Sequence, residues 1–217
     1  MQGFKSVIFD LDGTLLDTSE GIIEGIEYAI KQLCLPALSY NDLKAFVGPP
    51  LQRSFVDKCG CGEKEAQKAT EIFREYYGRY SILKCRPYDK IYSIRKSLQK
   101  QGIKMAVATN KREVFARQIL TEFGFDPYLD VIHGSDSEGK LKKNDIIQKC
   151  LIELNVIPEE TVLIGDTNYD AEAAEKTGCK FIAALWGFGF SKNEDVKNQS
   201  IGNAFEPLDV LKYLCIT

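Results

Sequence analysis

Asp10 and Asp12 stand two positions apart just past a short apolar run, Ser6-Val7-Ile8-Phe9. Side chains two apart on an extended chain point the same way, so both carboxylates can share one site. Like charges that close are costly unless a cation or a proton intervenes. The pair therefore predicts a divalent metal, a shifted carboxyl pKa, or both. Gly13 follows and lets the chain turn. Three later points carry matching chemistry. Thr109-Asn110-Lys111 closes a second apolar run. A hydroxyl and backbone N–H groups opening a helix there make an anion site, or simply a helix cap. Lys143 stands immediately before an apolar-periodic helix, as an ammonium reaching a sheet edge or as a solvated charge. Asp166 and Asp170 lie in Gly165-Asp166-Thr167-Asn168-Tyr169-Asp170. Both can approach one cation, or one can cap a helix. Oxygen-only donors suit magnesium.

The surrounding pattern says what positions these groups. Residues 6–9, 103–109, 129–133, 161–165 and 180–185 are short runs rich in Val, Ile, Leu and Ala, as expected of strands buried on both faces of a parallel sheet. Amphipathic stretches at 91–101, 113–123, 143–154 and 171–177 alternate with them, and glycines end three of these. Alternating β and α units predict an α/β fold with a doubly wound parallel sheet. Ligands in such sheets bind at the carboxyl ends of the strands, where Asp10, Thr109 and Asp166 fall. Residues 19–80 interrupt the alternation. Ile22, Ile26, Ala29, Ile30 and Leu33 share one helical face, and further helices are expected from Asn41 to Gly48, at 51–58 and at 63–80. The expected organisation is an α/β core of 1–16 and 81–217 with a helical cap of 17–80. Asp17 and Thr18 fall at the hinge.

Composition narrows the function classes. The chain has 217 residues, 44% hydrophobic and 27% charged, with a formal net charge of −3. No basic surplus points to nucleic acid or acidic lipid. No apolar stretch reaches the roughly 20 residues of a membrane helix, and no leader is visible. Seven scattered cysteines suggest reduced thiols and a cytoplasmic location. Cys59-Gly60-Cys61 has no second pair and is expected as a surface turn between helices. His133 is expected to be structural. No Gly-x-x-x-x-Gly-Lys-Ser/Thr loop exists, and Gly187-Phe188-Gly189 lacks the third glycine of a dinucleotide fingerprint.

The string Asp10-Leu11-Asp12-Gly13-Thr14-Leu15-Leu16-Asp17-Thr18, followed in order by Thr109, Lys143 and Gly165-Asp166-x-x-x-Asp170, resembles the haloacid dehalogenase (HAD) superfamily of phosphohydrolases. The resemblance covers nearly the whole chain. A helical block after the first motif is similar to the subfamily of phosphoglycolate phosphatases and β-phosphoglucomutases. Phe46-Val47-Gly48-Pro49-Pro50-Leu51-Gln52-Arg53-Ser54-Phe55 and Trp186-Gly187-Phe188-Gly189 resemble the phosphoglycolate-phosphatase-like members. The resemblance implies Asp10 as nucleophile, forming an aspartyl-phosphate, and Asp12 as general acid and then base, its pKa raised by its neighbours. It implies Thr109 and Lys143 as donors to the phosphoryl oxygens. It implies Mg2+ held by Asp10, the backbone carbonyl of Asp12, Asp166 and Asp170. The family's lysine usually precedes proline, whereas Asn144 follows Lys143 here, and Lys140 and Lys142 are rivals.

Asn110, Gly48 and Arg53 are candidate substrate-binding residues, with Arg53 suited to a planar carboxylate. The expected activity is hydrolysis of a small phosphorylated metabolite, phosphoglycolate-like in preference. A phosphomutase, a nucleotidase and a non-catalytic phosphate-binding module are the alternatives. Asp12 argues against dehalogenation, which needs no leaving-group acid. A monomer is the default, with a dimer open.

Overall fold

A computed structural model describes residues 3–137, 141–190, 196 and 200–216. Lys140 lies outside them. Six parallel strands form one sheet in the order β5-β4-β1-β6-β7-β8. These are β1 (Ser6–Phe9), β4 (Lys104–Arg112), β5 (Val131–Ser135), β6 (Thr161–Gly165), β7 (Lys180–Ala184) and β8 (Ser200–Ala204). β1 pairs with β4 on one side and β6 on the other, so Asp10 leaves the sheet at its centre. The chain runs outward on the β4–β5 side and returns to β6, which makes this end a topological switch point, where open α/β sheets bind ligands.

Alternating burial explains the layers. Val7 and Phe9 join one hydrophobic cluster, with α5 (Ile91–Lys100), α6 (Glu113–Glu122) and α9 (Asp209–Tyr213). Ile8, Ala106, Ala108 and Leu163 face the opposite cluster, against α7 (Lys143–Leu154) and α8 (Asn168–Thr177). Every residue of β1 is fully or nearly buried, as a central parallel strand requires.

Between β2 (Leu16–Asp17) and β3 (Arg86–Pro87), the chain is helical: α1 (Ser19–Gln32), α2 (Tyr40–Lys44), α3 (Leu51–Cys59), α4 (Glu63–Tyr76) and a π-helical turn over Tyr77–Ser81. β2 and β3 pair antiparallel and tie together the two passages into and out of this insertion. The apolar face predicted for α1 is buried at Ile22, Ile26, Ala29 and Ile30.

Three local differences from the sequence reading have physical causes. The stretch expected as one helix to Tyr80 widens into the π turn, which seats Tyr77 in the core at 1% exposure. The Cys59-Gly60-Cys61 segment is the expected turn between α3 and α4, with its glycine exposed, but it folds both cysteines inward against the core. β8 and α9 follow the last predicted strand; the Ser-Ile-Gly-Asn-Ala run of β8 has no apolar periodicity and joins only because β7 offers an open edge.

Candidate active site

Asp10 follows β1 directly, and its backbone N–H donates to Ile164 O at 2.9 Å, extending the β1–β6 ladder into the site. Carboxylate oxygens of Asp10, Asp166 and Asp170 lie within 4.8 Å of one another, and all three residues are buried. Lys143, the first residue of α7, reaches the cluster. Its ammonium is hydrogen-bonded to Asp10 Oδ1 and lies 2.8 Å from Asp170 Oδ1. α7 packs against β4 and β5, which places its first side chain at the strand ends.

Asp166 is held by the Trp186-Gly187-Phe188-Gly189 string. The N–H groups of Phe188 and Gly189 donate to Asp166 Oδ2 at 2.7 and 3.3 Å. Trp186 Nε1 donates to Thr14 O at 3.1 Å and ties this loop to the first motif. Gly13, at φ +86°, and Gly187 both lie so close to Asp166 that a methyl group at either would collide with it. Sequence reading noted the string without its purpose, which is to cradle this carboxylate.

Asp170 lies in the carboxylate cluster and also braces the start of α8. As the third residue of α8, it accepts from Thr167 N (3.1 Å) and Thr167 Oγ1 (2.7 Å) in a capping box. Those bonds use Oδ2 and leave Oδ1 facing Lys143.

Electrostatics follow from burial. Desolvation pushes the Asp10 carboxyl up to about 7; Lys143 opposes this, and Asp170 and Asp12 add to it. Burial, then Asp10 and Asp170, hold Asp166 well above the usual carboxylate range against the two backbone donors. Burial disfavours the Lys143 ammonium, but Asp10 and Asp170 outweigh it and hold its pKa above the ordinary lysine value. Three buried carboxylates with oxygens within 4.8 Å of one another offer the oxygen donor set of a hard divalent cation, so the residues fit Mg2+.

Asp12 turns away from this cluster. Its Oδ1 accepts from Thr18 Oγ1 at 2.6 Å and lies 2.9 Å from Lys111 Nζ. Lys111 also donates to the Tyr77 hydroxyl at 3.1 Å, which links the helical insertion to Asp12. Burial opposes the Lys111 charge, yet Asp12 and Tyr77 raise its pKa overall; burial pushes the Tyr77 phenol up to about 12. Sequence reading quoted Lys111 but gave it no role. The available signal was its position two residues after Thr109 on an extended chain, which puts both on one face.

Thr109 does not open a helix. β4 runs on to Arg112, and its register against β5 shifts between Ala108 and Arg112. That irregularity pushes 109–111 over the sheet edge. Thr109 Oγ1 accepts from Lys111 N at 3.1 Å and is buried. Asn110 Nδ2 donates to Gly48 O at 3.2 Å across the seam with the insertion.

Above the site lies a cavity of about 860 Å³, lined by Asp12, Lys143, Lys111, Asn110, Gly48 and Arg112, among others. Arg53 does not line it. Its side chain is 62% exposed and pairs with Asp57 one turn along α3, so it does not face the cavity as a substrate-binding residue was expected to. Its neighbours Leu51 and Gln52 face the cavity instead. His133 is held between Glu113 (3.2 Å) and Glu153 (2.8 Å), outside the cavity lining.

Known proteins are similar to this chain in sequence and fold. A 5'-nucleotidase of Pseudomonas aeruginosa is 33% identical over 86% of this chain and 85% of its own length. A phosphoglycolate phosphatase of Aquifex aeolicus is 32% identical over 85% of this chain and 86% of its own. The crystal structure of a predicted phosphatase from Clostridium acetobutylicum superposes with a TM-score of 0.88 at 34% identity, covering 97% of both chains. The pattern of haloacid dehalogenase-like hydrolases matches residues 7–184. With that match over most of its length, the chain belongs to the haloacid dehalogenase-like hydrolase family.

Proposed function

We propose that this protein is a magnesium-dependent phosphomonoester hydrolase working through an aspartyl-phosphate on Asp10. The observation that carries this reading is the buried trio of Asp10, Asp166 and Asp170 with Lys143 between two of them. In this reading Asp10 Oδ attacks phosphorus, and the bond to the leaving oxygen breaks. Asp12 gives that oxygen a proton, then removes one from the water that cleaves the acyl phosphate. Thr109, Asn110 and Lys143 donate to the phosphoryl oxygens and favour the transition state over the ground state. Mg2+ held by Asp10, Asp166, Asp170 and the backbone carbonyl of Asp12 would supply the positive charge that lets a carboxylate approach an anionic ester. Residues 17–80 act as a cap that excludes bulk water, with Gly48 lining its inner side. The substrate is a small phosphorylated metabolite; relatives named as a phosphoglycolate phosphatase and a 5'-nucleotidase support that class.

The test is phosphate release from a panel of phosphomonoesters, with and without Mg2+, beside Asp10→Asn. Metal-dependent turnover that disappears in the variant is expected. Turnover that survives in Asp10→Asn would overturn the nucleophile assignment, and no release from any ester would overturn the hydrolase reading.

A further inference from the structure

The cavity has a second positively charged end that the chemistry above does not use. Arg74 on α4 and Arg112 at the end of β4 both line it. Both donate to the same acceptor, the carbonyl of Ser137: Arg74 Nη1 at 3.5 Å and Arg112 Nη2 at 2.5 Å. One guanidinium thus comes from the helical insertion and the other from the sheet. Arg112 Nε is buried and has no hydrogen-bond partner among the described residues. A buried N–H left without an acceptor is uncommon and destabilising in a finished structure. Like charges gathered at one point repel as well; burial and Arg112 together pull the pKa of Arg74 below the usual arginine value. Asp136 and Glu71 offset part of this charge. The arrangement is therefore strained in charge and short of an acceptor, and an anion would relieve both.

We propose that Arg74 and Arg112 form a second anion subsite, which takes a carboxylate or phosphate at the far end of the substrate from the transferred phosphoryl group. Guanidinium groups bind such planar or multi-oxygen anions through paired N–H donors. Arg112 lies three residues beyond Thr109 on an extended chain, so the two Cα atoms are at most about 10 Å apart. The length of substrate that would join the two ends is therefore what the experiment varies. The subsite also fills the role for which Arg53 is misplaced. Because its halves come from the insertion and the sheet, an anion bound there would hold the two together over the reacting phosphate. The inference rests on the hydrolase reading for its first end, but the guanidinium pair can be tested without turnover.

The experiment compares phosphate esters of ω-hydroxycarboxylic acids of increasing length with alkyl phosphates of the same length, and with alkanediol bisphosphates as a third arm. kcat/KM is measured for the parent, Arg74→Gln and Arg112→Gln. Dissociation constants for the same esters are measured calorimetrically on Asp10→Asn protein, alone and combined with each arginine substitution. The parent is expected to prefer a charged tail over an alkyl tail by about tenfold or more at one chain length. That ratio is expected to fall close to one in both variants. The better of the two charged arms tells carboxylate from phosphate. Equal handling of charged and alkyl tails at every length would overturn the proposal. So would an unchanged ratio in both variants, including equal loss on both ester classes, which would mark the pair as a tie between insertion and sheet. If the parent hydrolyses no ester, the hydrolase reading fails, and the ratio of dissociation constants alone then decides the subsite.

Discussion

Replacing Lys143 by Met removes the ammonium that contacts Asp10 and Asp170 and leaves their neighbour Asp166 in place. Side-chain exposure of Lys143 and Asp10 is 5% each, so solvent screens little of this interaction. Breaking a buried ion pair from one side costs about 3–5 kcal/mol, because the partner charge stays buried. In a chain of this length 1 kcal/mol moves the melting temperature by about 2–4 °C, so a loss of roughly 6–20 °C is expected for metal-free protein at pH 8. The loss should shrink at pH 5.5. There the Asp10 carboxyl, already raised to about 7 with Lys143 present, takes up a proton and no longer needs the cation. Mg2+ should restore much of the stability at pH 8 without restoring turnover, which should fall about 100-fold or more with the phosphoryl donor gone. Differential scanning fluorimetry at both pH values, with and without Mg2+, reads the first effects, and phosphate release reads the last. A metal-free melting temperature at pH 8 within about 2 °C of the parent, or the same deficit at both pH values, would refute the electrostatic account.

Other outcomes follow from neighbouring contacts. Gly187→Ala places a methyl against Asp166 and should weaken Mg2+ binding and turnover together, whereas Gly60→Ala, at φ +66° with open space around it, should cost only about 1 kcal/mol of backbone strain; metal titration and melting curves separate the two. Lys111→Met should lower turnover about 100-fold while Mg2+ affinity, measured calorimetrically, stays near the parent value, because Lys111 contacts Asp12 and not the carboxylate trio; a parallel loss of metal affinity would contradict that division. Without metal, the raised Asp10 pKa means that the folded state binds more protons than the unfolded one between pH 4 and 7. Stability should therefore fall as pH rises through that window, by about 4 kcal/mol from this group alone, and the stabilisation by Mg2+ should grow over the same range; chemical denaturation across pH tests the sign.

Much of this architecture is legible in local pattern. The apolar run before Asp10, the strand ends at Gly165 and the helical face of Ile22, Ile26 and Ile30 are set by short-range periodicity, which states burial without reference to the rest of the fold. Strand ends in a parallel sheet all reach the same edge, so the nearness of Asp10, Thr109, Lys143 and Asp166 follows once the strands are recognised. Contacts between elements far apart in the chain are a different matter. That Lys111 meets Asp12, that the string from Trp186 to Gly189 wraps Asp166, and that Arg74 and Arg112 share the Ser137 carbonyl depend on how the helical insertion seats on the sheet and on the irregular end of β4. Arg53 shows the same limit from the other side. Its type suits an anion, but the rotation of α3 turns it to solvent and to Asp57. Composition and spacing determined the elements and the reactive edge; the tertiary structure alone decided which charges face one another, because side-chain direction across an interface is fixed by packing between elements and not by the residues on either side in the chain.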